Sequence, residues 1–239
     1  MRVALITVGD ELLAGDTQNT NATWLAAQLS ERGVDVRRVL VVPDDEGAIA
    51  DRVQAYSERY DAVIVTGGLG GTPDDITMDA VARAFDRALA ADDAVREDVE
   101  RTLEAVRDEY PDLEVDVGAE AEIPEGARPL LNRAGLSAGA VVENVYVLPG
   151  IPSEMEAMFE DVAEEFSGDA RSRTLYTEEP EANLIDALTD ARAQFDVSVG
   201  CYPDRDAGHN RLKVTGTDPE AVEAAADWLR EAANATDQP

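Results

Sequence analysis

Short apolar runs alternate with amphipathic helical patterns along the first two thirds of the chain, and this alternation restricts the fold more than any other feature. The first run, VALITVG at Val3–Gly9, is almost continuously apolar, which is typical of a strand buried on both faces. Strands are also predicted at VDVRRVLVV (34–42) and DAVIVTGG (61–68). Between the first two strands, apolar residues recur at helical spacing, at Ala22, Leu25, Ala26 and Leu29. The pattern predicts an α/β fold, with helices on both faces of a mostly parallel sheet in three layers.

The run SGDARSR (Ser167–Arg173) breaks the alternation and is the predicted linker. It separates a first domain at residues 1–168 from a small α+β domain at residues 174–239, in which the predicted order is β-α-β-β-α. Asp218 and Pro219 are typical of the N-cap and first turn of the last helix. Because so short a module buries only a small core, we expect it to dock on the first domain or on a second subunit, and we expect a homodimer.

The charge of the chain limits its partners. It has 51 acidic and 20 basic residues and a net charge of −31, spread over helices that keep apolar faces. This indicates a solvated acidic surface, as in halophilic proteins, and argues against nucleic acid and anionic membranes as partners. The N-terminal apolar run ends in acidic residues and is too short for a membrane span, so neither a signal peptide nor a transmembrane helix is predicted. One cysteine, Cys201, indicates a cytoplasmic protein, and one histidine, His209, leaves only hard cations such as Mg²⁺ or K⁺ as metal candidates.

Carboxylates follow each of the first three predicted strands. The pairs are Asp10-Glu11, Asp44-Asp45 and Asp74-Asp75. Because ligands bind at the carboxyl ends of parallel strands, these side chains are candidates for one site. In an acidic chain, however, such residues also occur by chance. Asp44 or Asp45 fits the cap of the next helix, and Thr72 followed by proline fits a helix start.

The run TGGLGGTPDDIT (Thr66–Thr77) follows the third strand and holds Gly67, Gly68, Gly70 and Gly71. A helix cap needs one special residue, whereas a run of glycines lets backbone N–H groups approach a ligand closely. The run is neither a Walker loop nor G-x-G-x-x-G. We expect the glycines and the helix N-terminus to receive phosphate oxygens, while the aspartates hold a Mg²⁺ that bridges to those phosphates or position a water.

Four motifs, GDELLAGDTQNTN, PDD, TGGLGGTPDDIT and LPGIPSEM, occur in this order. Together they resemble the N-terminal region of the competence/damage-inducible protein A (CinA) family, which shares its fold with the molybdopterin-binding MoaB/Mog domain. The resemblance covers about Arg2–Glu165. The tail, with VSVGCYP and RLKVTGTD, resembles the KH-type module that follows in CinA proteins. It lacks the G-x-x-G loop of RNA-binding versions, so no RNA role is expected.

The resemblance implies roles for particular residues. Asp44 and Asp75 match the catalytic aspartates of the molybdopterin adenylyltransferase branch and are our candidate Mg²⁺ ligands. The matching glycines hold a pyrophosphate or pterin phosphate, and the later proline-glycine turn lines the same site. The candidate ligand-binding residues, all within these motifs, are Gly67, Gly68, Gly70, Thr72, Gly150, Pro152, Ser153, Glu11 and Asn19.

For the CinA branch, the resemblance implies metal-dependent hydrolysis of ADP-ribose-type pyrophosphates. Two alternatives stay open: a molybdopterin adenylyltransferase, and a molybdopterin- or nucleotide-binding protein without turnover. The departures from the family pattern are Gly71 in place of proline, Ile151 in place of proline, and NRAGLSAG (Asn132–Gly139) in place of NPxGTAPG. The nicotinamide-nucleotide deamidase domain of longer members has no counterpart in this sequence, so deamidation is not expected.

Overall fold

The computed structural model describes residues 1–108 and 110–239 and divides the chain into two compact units, Met1–Ser167 and Gly168–Pro239. The strands of the first unit are β1 (Arg2–Val8), β2 (Asp35–Val42), β3 (Ala62–Thr66), β4 (Leu89–Ala91), β5 (Glu122–Pro124), β6 (Arg128–Leu130), β7 (Gly139–Val142) and β8 (Val145–Leu148). Its helices are α1 (Asp10–Ala14), α2 (Thr20–Glu31), α3 (Glu46–Ser57), α4 (Thr77–Ala84), α5 (Asp93–Val106), α6 (Val117–Glu120) and α7 (Pro152–Val162), followed by a 3-10 turn at Ala163–Glu165.

The main sheet of the first unit has the strand order β2-β1-β3-β8-β7-β6. The pairs β1–β2, β1–β3 and β3–β8 are parallel, which confirms the predicted mostly parallel α/β sheet. β7 runs antiparallel to both of its neighbours. The reason is local: only Glu143 and Asn144 separate β7 from β8, and so short a connection joins antiparallel strands alone.

Helices cover both faces of this sheet, as the alternation predicted. Along β1, Val3 and Leu5 belong to the core that includes residues of α2 and α7, whereas Ile6 and Val8 belong to the core that includes residues of α3 and α4. This follows from the two-residue period of a strand, which sends successive side chains to opposite faces. The carboxyl end of each parallel strand therefore lies between two helical layers, where loops can meet.

Several elements of the first unit did not follow from the sequence patterns. The segment after β1 begins with the short helix α1, which no sequence pattern indicated. A two-stranded sheet of β4 and β5 lies apart from the main sheet. Val95, Val99 and Ile123 form a separate small core with Ala138 and Ala140, so this sheet and α5 pack beside β7.

The second unit has the predicted order β-α-β-β-α. Its elements are β9 (Arg171–Thr177), α8 (Glu181–Phe195), β10 (Ser198–Asp204), β11 (His209–Gly216) and α9 (Pro219–Ala232). The strands form an antiparallel sheet in the order β10-β11-β9, and both helices contribute to one core. The predicted linker is too long by three residues, because Arg171 pairs with Gly216 at the start of β9. Within the described residues, no helix combines the length and apolar character that crossing a membrane requires.

Candidate functional site

Two glycine turns meet at the carboxyl edge of the main sheet. Gly67, directly after β3, has φ +103°, and a Cβ there would overlap the carbonyl oxygen of Val8 at the end of β1. Gly150, after β8, lies so close to Gly67 that a Cβ added at Gly150 would be 3.3 Å from the Cα of Gly67. A side chain at Gly67 is therefore excluded by both backbone conformation and space. The glycines bring the ends of β1, β3 and β8 together.

Hydrogen bonds connect these turns to the first turn of α2. The buried Thr66 donates its hydroxyl proton to the Pro149 carbonyl oxygen, at 2.6 Å. Asn21 donates its side-chain amide to the Gly150 carbonyl oxygen at 2.7 Å and to Thr66 Oγ1 at 3.3 Å. As a result, three of the motifs that carried the family resemblance form one hydrogen-bonded unit.

The aspartates after the glycine run do not start a helix. Because α4 begins at Thr77, the alternative of a helix start at Thr72 is wrong. The buried Thr77 hydroxyl instead donates to the Gly67 carbonyl oxygen, at 2.8 Å, and holds the beginning of α4 against the loop. Asp74 and Asp75 are therefore loop residues, free of a helix-capping role.

Thr72 organises both of these carboxylates. Its backbone N–H donates to Asp75 Oδ2 at 3.0 Å. Its hydroxyl oxygen lies 2.6 Å from Asp75 Oδ2 and 2.5 Å from Asp74 Oδ1. The hydrogen bond from this hydroxyl is the main reason why the pKa of Asp74 lies below its ordinary value. Since one hydroxyl carries one proton, it serves only one carboxylate at a time, and the two negative charges stay close together.

The loop cavity, of about 270 Å³, lies beside the glycine run and is bordered by α4, α6, the β4–β5 sheet and residues 137–138. Of the predicted ligand residues, it is lined by Gly68, Gly70, Thr72 and Asp75. A Cβ at Gly70 would lie 2.5 Å from Asp75 Oδ2, so this glycine leaves room for the carboxylate. Every charged side chain among the described lining residues is acidic: Asp75, Asp79, Glu120 and Glu122.

Glu120 is a half-buried member of this cavity that the sequence patterns did not identify. Burial raises the pKa of its carboxyl, and the charges of Asp75 and Asp116 add to this, while a hydrogen bond with Ser137 acts in the opposite direction. A Cβ at Gly71 would lie 3.2 Å from Glu120 Oε1, so the glycine run faces this carboxylate. Perturbed carboxyls in clefts are frequent at functional sites. In so acidic a chain, nothing in the local sequence distinguishes Glu120 from its neighbours.

The turn cavity, of about 100 Å³, adjoins the two glycine turns on the side of α2. Its lining includes Thr7, residues 17–21 and Thr66, together with the predicted ligand residues Asn19, Gly67, Gly150 and Pro152. None of the described residues that line it carries a charge. The predicted site is thus divided into an acidic part and a neutral part, which meet where Gly67 is followed by Gly68.

Three predicted residues are absent from the linings of both cavities: Asp44, Glu11 and Ser153. Asp44 accepts the backbone N–H of Asp10 at 2.8 Å, at the beginning of α1, while the neighbouring Asp45 caps α3 through Ala48. The catalytic and metal-binding roles of Asp44, shared with Asp75, stay predictions. Within the described part of the chain, no group of three or more His, Cys, Asp or Glu side chains is arranged to hold a metal ion.

The segment Asn132–Gly139, which departs from the family pattern, is tied to α7. The buried Asn132 donates its side-chain amide to Glu154 Oε2 at 2.7 Å and to the Ser137 carbonyl oxygen at 3.0 Å. Its backbone N–H donates to Asp98 Oδ2 at 3.1 Å, and that aspartate is 1% exposed. The segment therefore has a defined structure without the two prolines, and it presents Ser137 to the loop cavity.

Paired glycine turns and acidic loops at the carboxyl edge of a mostly parallel sheet define the first unit as an α/β ligand-binding domain. Residues 4–167 match the family described as a probable molybdopterin binding domain, and the chain belongs to that family. Residues 169–237 match the family described as the FAD synthase middle domain. The predicted KH-type assignment of the tail is not shown by this match.

The chain is 36% identical over 239 residues to a protein of Archaeoglobus fulgidus, covering 98% of this chain and 99% of that one. It is 41% identical over 165 residues to a CinA-like protein of Citrifermentans bemidjiense, covering 67% of this chain and 39% of that protein. A crystal structure of the protein CinA, of unknown function, from Thermoplasma acidophilum is 33% identical. That match has a TM-score of 0.59 and covers 69% of this chain and 97% of that one. The predicted resemblance to CinA proteins is confirmed.

Proposed function

We propose that the first unit hydrolyses the pyrophosphate bond of an ADP-ribose-type nucleotide with the help of Mg²⁺. The observation that carries this proposal is the position of Asp75, whose carboxylate occupies the space that Gly70 leaves open in the loop cavity. Water adds across the P–O–P linkage, so that ADP-ribose and water give AMP and ribose 5-phosphate. The substrate class is the one that the resemblance to the CinA branch implies.

The donor set of the loop cavity fits a hard cation. Its charged groups are carboxylates, and oxygen ligands are those that Mg²⁺ prefers. Mg²⁺ usually takes one or two protein carboxylates and completes its shell with water and substrate phosphates, so a dedicated cluster of three ligands is not required. Asp75 would hold the ion beside Glu120, and the bound ion would offset the charge between these carboxylates and the phosphates.

The chain itself contributes binding and proton acceptance. The Thr72 backbone N–H donates to Asp75 Oδ2, and the Thr72 hydroxyl that Asp74 and Asp75 share lies near the same oxygen. We therefore assign Oδ1 to the attacking water, whose proton it accepts. The backbone N–H groups of the glycine run supply donors to the phosphate oxygens, because glycines allow the phosphate to approach the main chain.

The test is Asp75→Asn, measured as AMP formation from ADP-ribose with MgCl₂ in concentrated KCl. We expect the rate to fall by at least about 10²-fold while ADP-ribose still binds, because the substitution removes the proton acceptor and leaves the loop in place. Asp74→Asn is the matched control. Asp74 contacts the same Thr72 hydroxyl but is absent from the lining of the cavity, so its rate should stay within about threefold. Near-native turnover by the Asp75 variant would refute the assignment.

A second function is favoured by the family description itself, which names molybdopterin. In this case the glycine run binds the phosphate of a pterin, and the protein either adenylylates the pterin or holds it without turnover. The two functions separate in one experiment. If wild-type protein with MgCl₂ forms no AMP from ADP-ribose but binds molybdopterin in a fluorescence titration, the pterin function replaces the first proposal.

A further inference from the structure

Asn21 has an orientation that its surroundings fix. The Gly150 carbonyl oxygen, 2.7 Å from Asn21 Nδ2, can only accept a hydrogen bond. The Thr66 hydroxyl has already donated its proton to the Pro149 carbonyl oxygen, so it too accepts from Asn21 Nδ2. Both contacts require the NH₂ group at this position. The carbonyl oxygen of the amide, Oδ1, is therefore assigned without ambiguity to the other side of the group.

Asn21 Oδ1 is buried and has no hydrogen-bond partner among the described residues. A buried acceptor without a donor is unfavourable and is rare in folded proteins. Asn19, two residues earlier, provides the contrast. Its Oδ1 accepts the Ala22 N–H at 3.1 Å and its Nδ2 donates to Thr7 Oγ1 at 2.9 Å, so both ends of that amide are used within the protein.

Asn21 lines the turn cavity, whose described residues carry no charge. The loop cavity next to it is lined by carboxylates and suits phosphates bridged by a cation. Gly67 lines the former and Gly68 the latter, so a ligand with its phosphates in the loop cavity has the turn cavity within reach of its uncharged part.

We propose that the turn cavity binds the uncharged part of the ligand, and that Asn21 Oδ1 accepts a hydrogen bond from an N–H or O–H group on it. The inference rests on the proposed function and adds to it a specificity residue. A site with a buried acceptor discriminates strongly against ligands that lack the matching donor. A heterocyclic ring and a ribose both carry such donors, whereas inorganic pyrophosphate carries none that fits a neutral cavity.

The experiment compares two ligands on the full chain by isothermal titration calorimetry with MgCl₂. The first is α,β-methylene ADP-ribose, which cannot be hydrolysed, and the second is inorganic pyrophosphate. We expect Asn21→Ala to weaken binding of the methylene analogue about tenfold or more. Binding of pyrophosphate should change less than about twofold. Thr23→Ala, on the same helix but outside the cavity lining, should change neither affinity.

A purely structural role of Asn21 predicts a different result. Thr66→Val shows how damage to the turns alone affects the binding of the two ligands. It removes the hydrogen bonds of Thr66 to Pro149 and Asn21 but leaves Asn21 Oδ1 in the protein. If Asn21→Ala weakens both ligands by the same factor, as expected for turn damage, the inference is overturned. If Asn21→Ala is misfolded by circular dichroism, Asn21→Ser replaces it, because a hydroxyl can still donate to the Gly150 carbonyl oxygen.

The remaining outcomes separate the two proposals. If the wild-type protein binds neither ligand, the proposed function fails and the inference fails with it. If it binds the methylene analogue and Asn21→Ala binds it equally well, only the inference fails. Titrations with AMP and ribose 5-phosphate identify the hydrogen-bond donor. The compound whose binding depends on Asn21 carries the group from which Asn21 Oδ1 accepts a hydrogen bond. If the binding of neither compound depends on Asn21, the inference is also overturned.

Discussion

Gly67→Ala tests whether the approach of the glycine run to β1 is as close as the structure shows. Gly67 has φ +103°, a conformation that L-residues rarely adopt, and the new Cβ would overlap the Val8 carbonyl oxygen. That oxygen belongs to the backbone of a buried strand, so no change of rotamer relieves the overlap. Either β1 or the loop has to move.

The expected loss of stability has two parts. The unfavourable backbone conformation costs about 1–2 kcal/mol for a residue with a Cβ. Displacing the loop or strand adds about 1–2 kcal/mol, in the range of overpacking substitutions. Gly15→Ala isolates the first part, because Gly15 has φ +78° with nothing within 4 Å of its would-be Cβ. The free energy of unfolding should therefore fall by about 2–4 kcal/mol for Gly67→Ala and by about 1–2 kcal/mol for Gly15→Ala.

The assay is urea denaturation in KCl, followed by tryptophan fluorescence. Trp24 lies in α2 and makes an edge-on contact with Phe159, with ring centroids 5.5 Å apart, so it reports on unfolding of the first unit. Trp228 lies in the second unit, and Trp228→Phe is used as the background so that it does not contribute. If Gly67→Ala is no more destabilising than Gly15→Ala, the close contact with Val8 is not a feature of the folded protein.

Two further substitutions test other parts of the first unit. Burial, with the hydrogen bond to Glu165, raises the pKa of Tyr146 to about 12 from an ordinary value of 10.0. The contribution of the neutral phenol to the stability of the folded state is therefore complete below pH 10 and is lost as the pH rises towards 12. Two pKa units correspond to about 2–3 kcal/mol, and Tyr146→Phe should remove this pH dependence in urea titrations at pH 8 to 12; an unchanged slope would contradict the burial of the phenol. Gly135→Ala should displace the Glu154 carboxylate, which a Cβ at Gly135 would overlap, and should lower the melting temperature measured by calorimetry. Gly47→Ala should not lower the melting temperature, because a Cβ at Gly47, inside a helix, would make only ordinary contacts.

Local sequence patterns were sufficient to predict the structure where a residue's environment depends on its sequence neighbours. The apolar run at Val3–Gly9 gave β1 at Arg2–Val8, and DAVIVTGG gave β3 at Ala62–Thr66, because central parallel strands are buried on both faces. The helical spacing of Ala22, Leu25, Ala26 and Leu29 predicted α2, which spans Thr20–Glu31. The glycine run was predicted to approach a ligand site, and the structure places it at the sheet edge beside a cavity.

Local patterns failed where distant residues decide the outcome. Thr72 and Pro73 have the composition of a helix start, yet Thr77 starts the helix, because its side chain reaches the Gly67 carbonyl oxygen. Glu120 is half-buried in a cavity where its neighbours, Ser137 and the glycine run, are distant from it in sequence. The hydrogen bond that orients Asn21 connects residues 129 positions apart, which no short-range pattern can anticipate.

The pairing of β3 with β8 has a consequence for synthesis of the chain on the ribosome. β3 is buried along its whole length, and the bond that closes the turns beyond it, from Thr66 to Pro149, spans 83 residues. At a synthesis rate of about 5–20 residues per second, β3 waits roughly 4–17 s for its partner strand to be made. During that interval its apolar edge is unpaired, which is the condition under which nascent chains aggregate or recruit chaperones. The same long-range pairing that builds the ligand site thus makes the emerging chain vulnerable until Leu148 has left the ribosome.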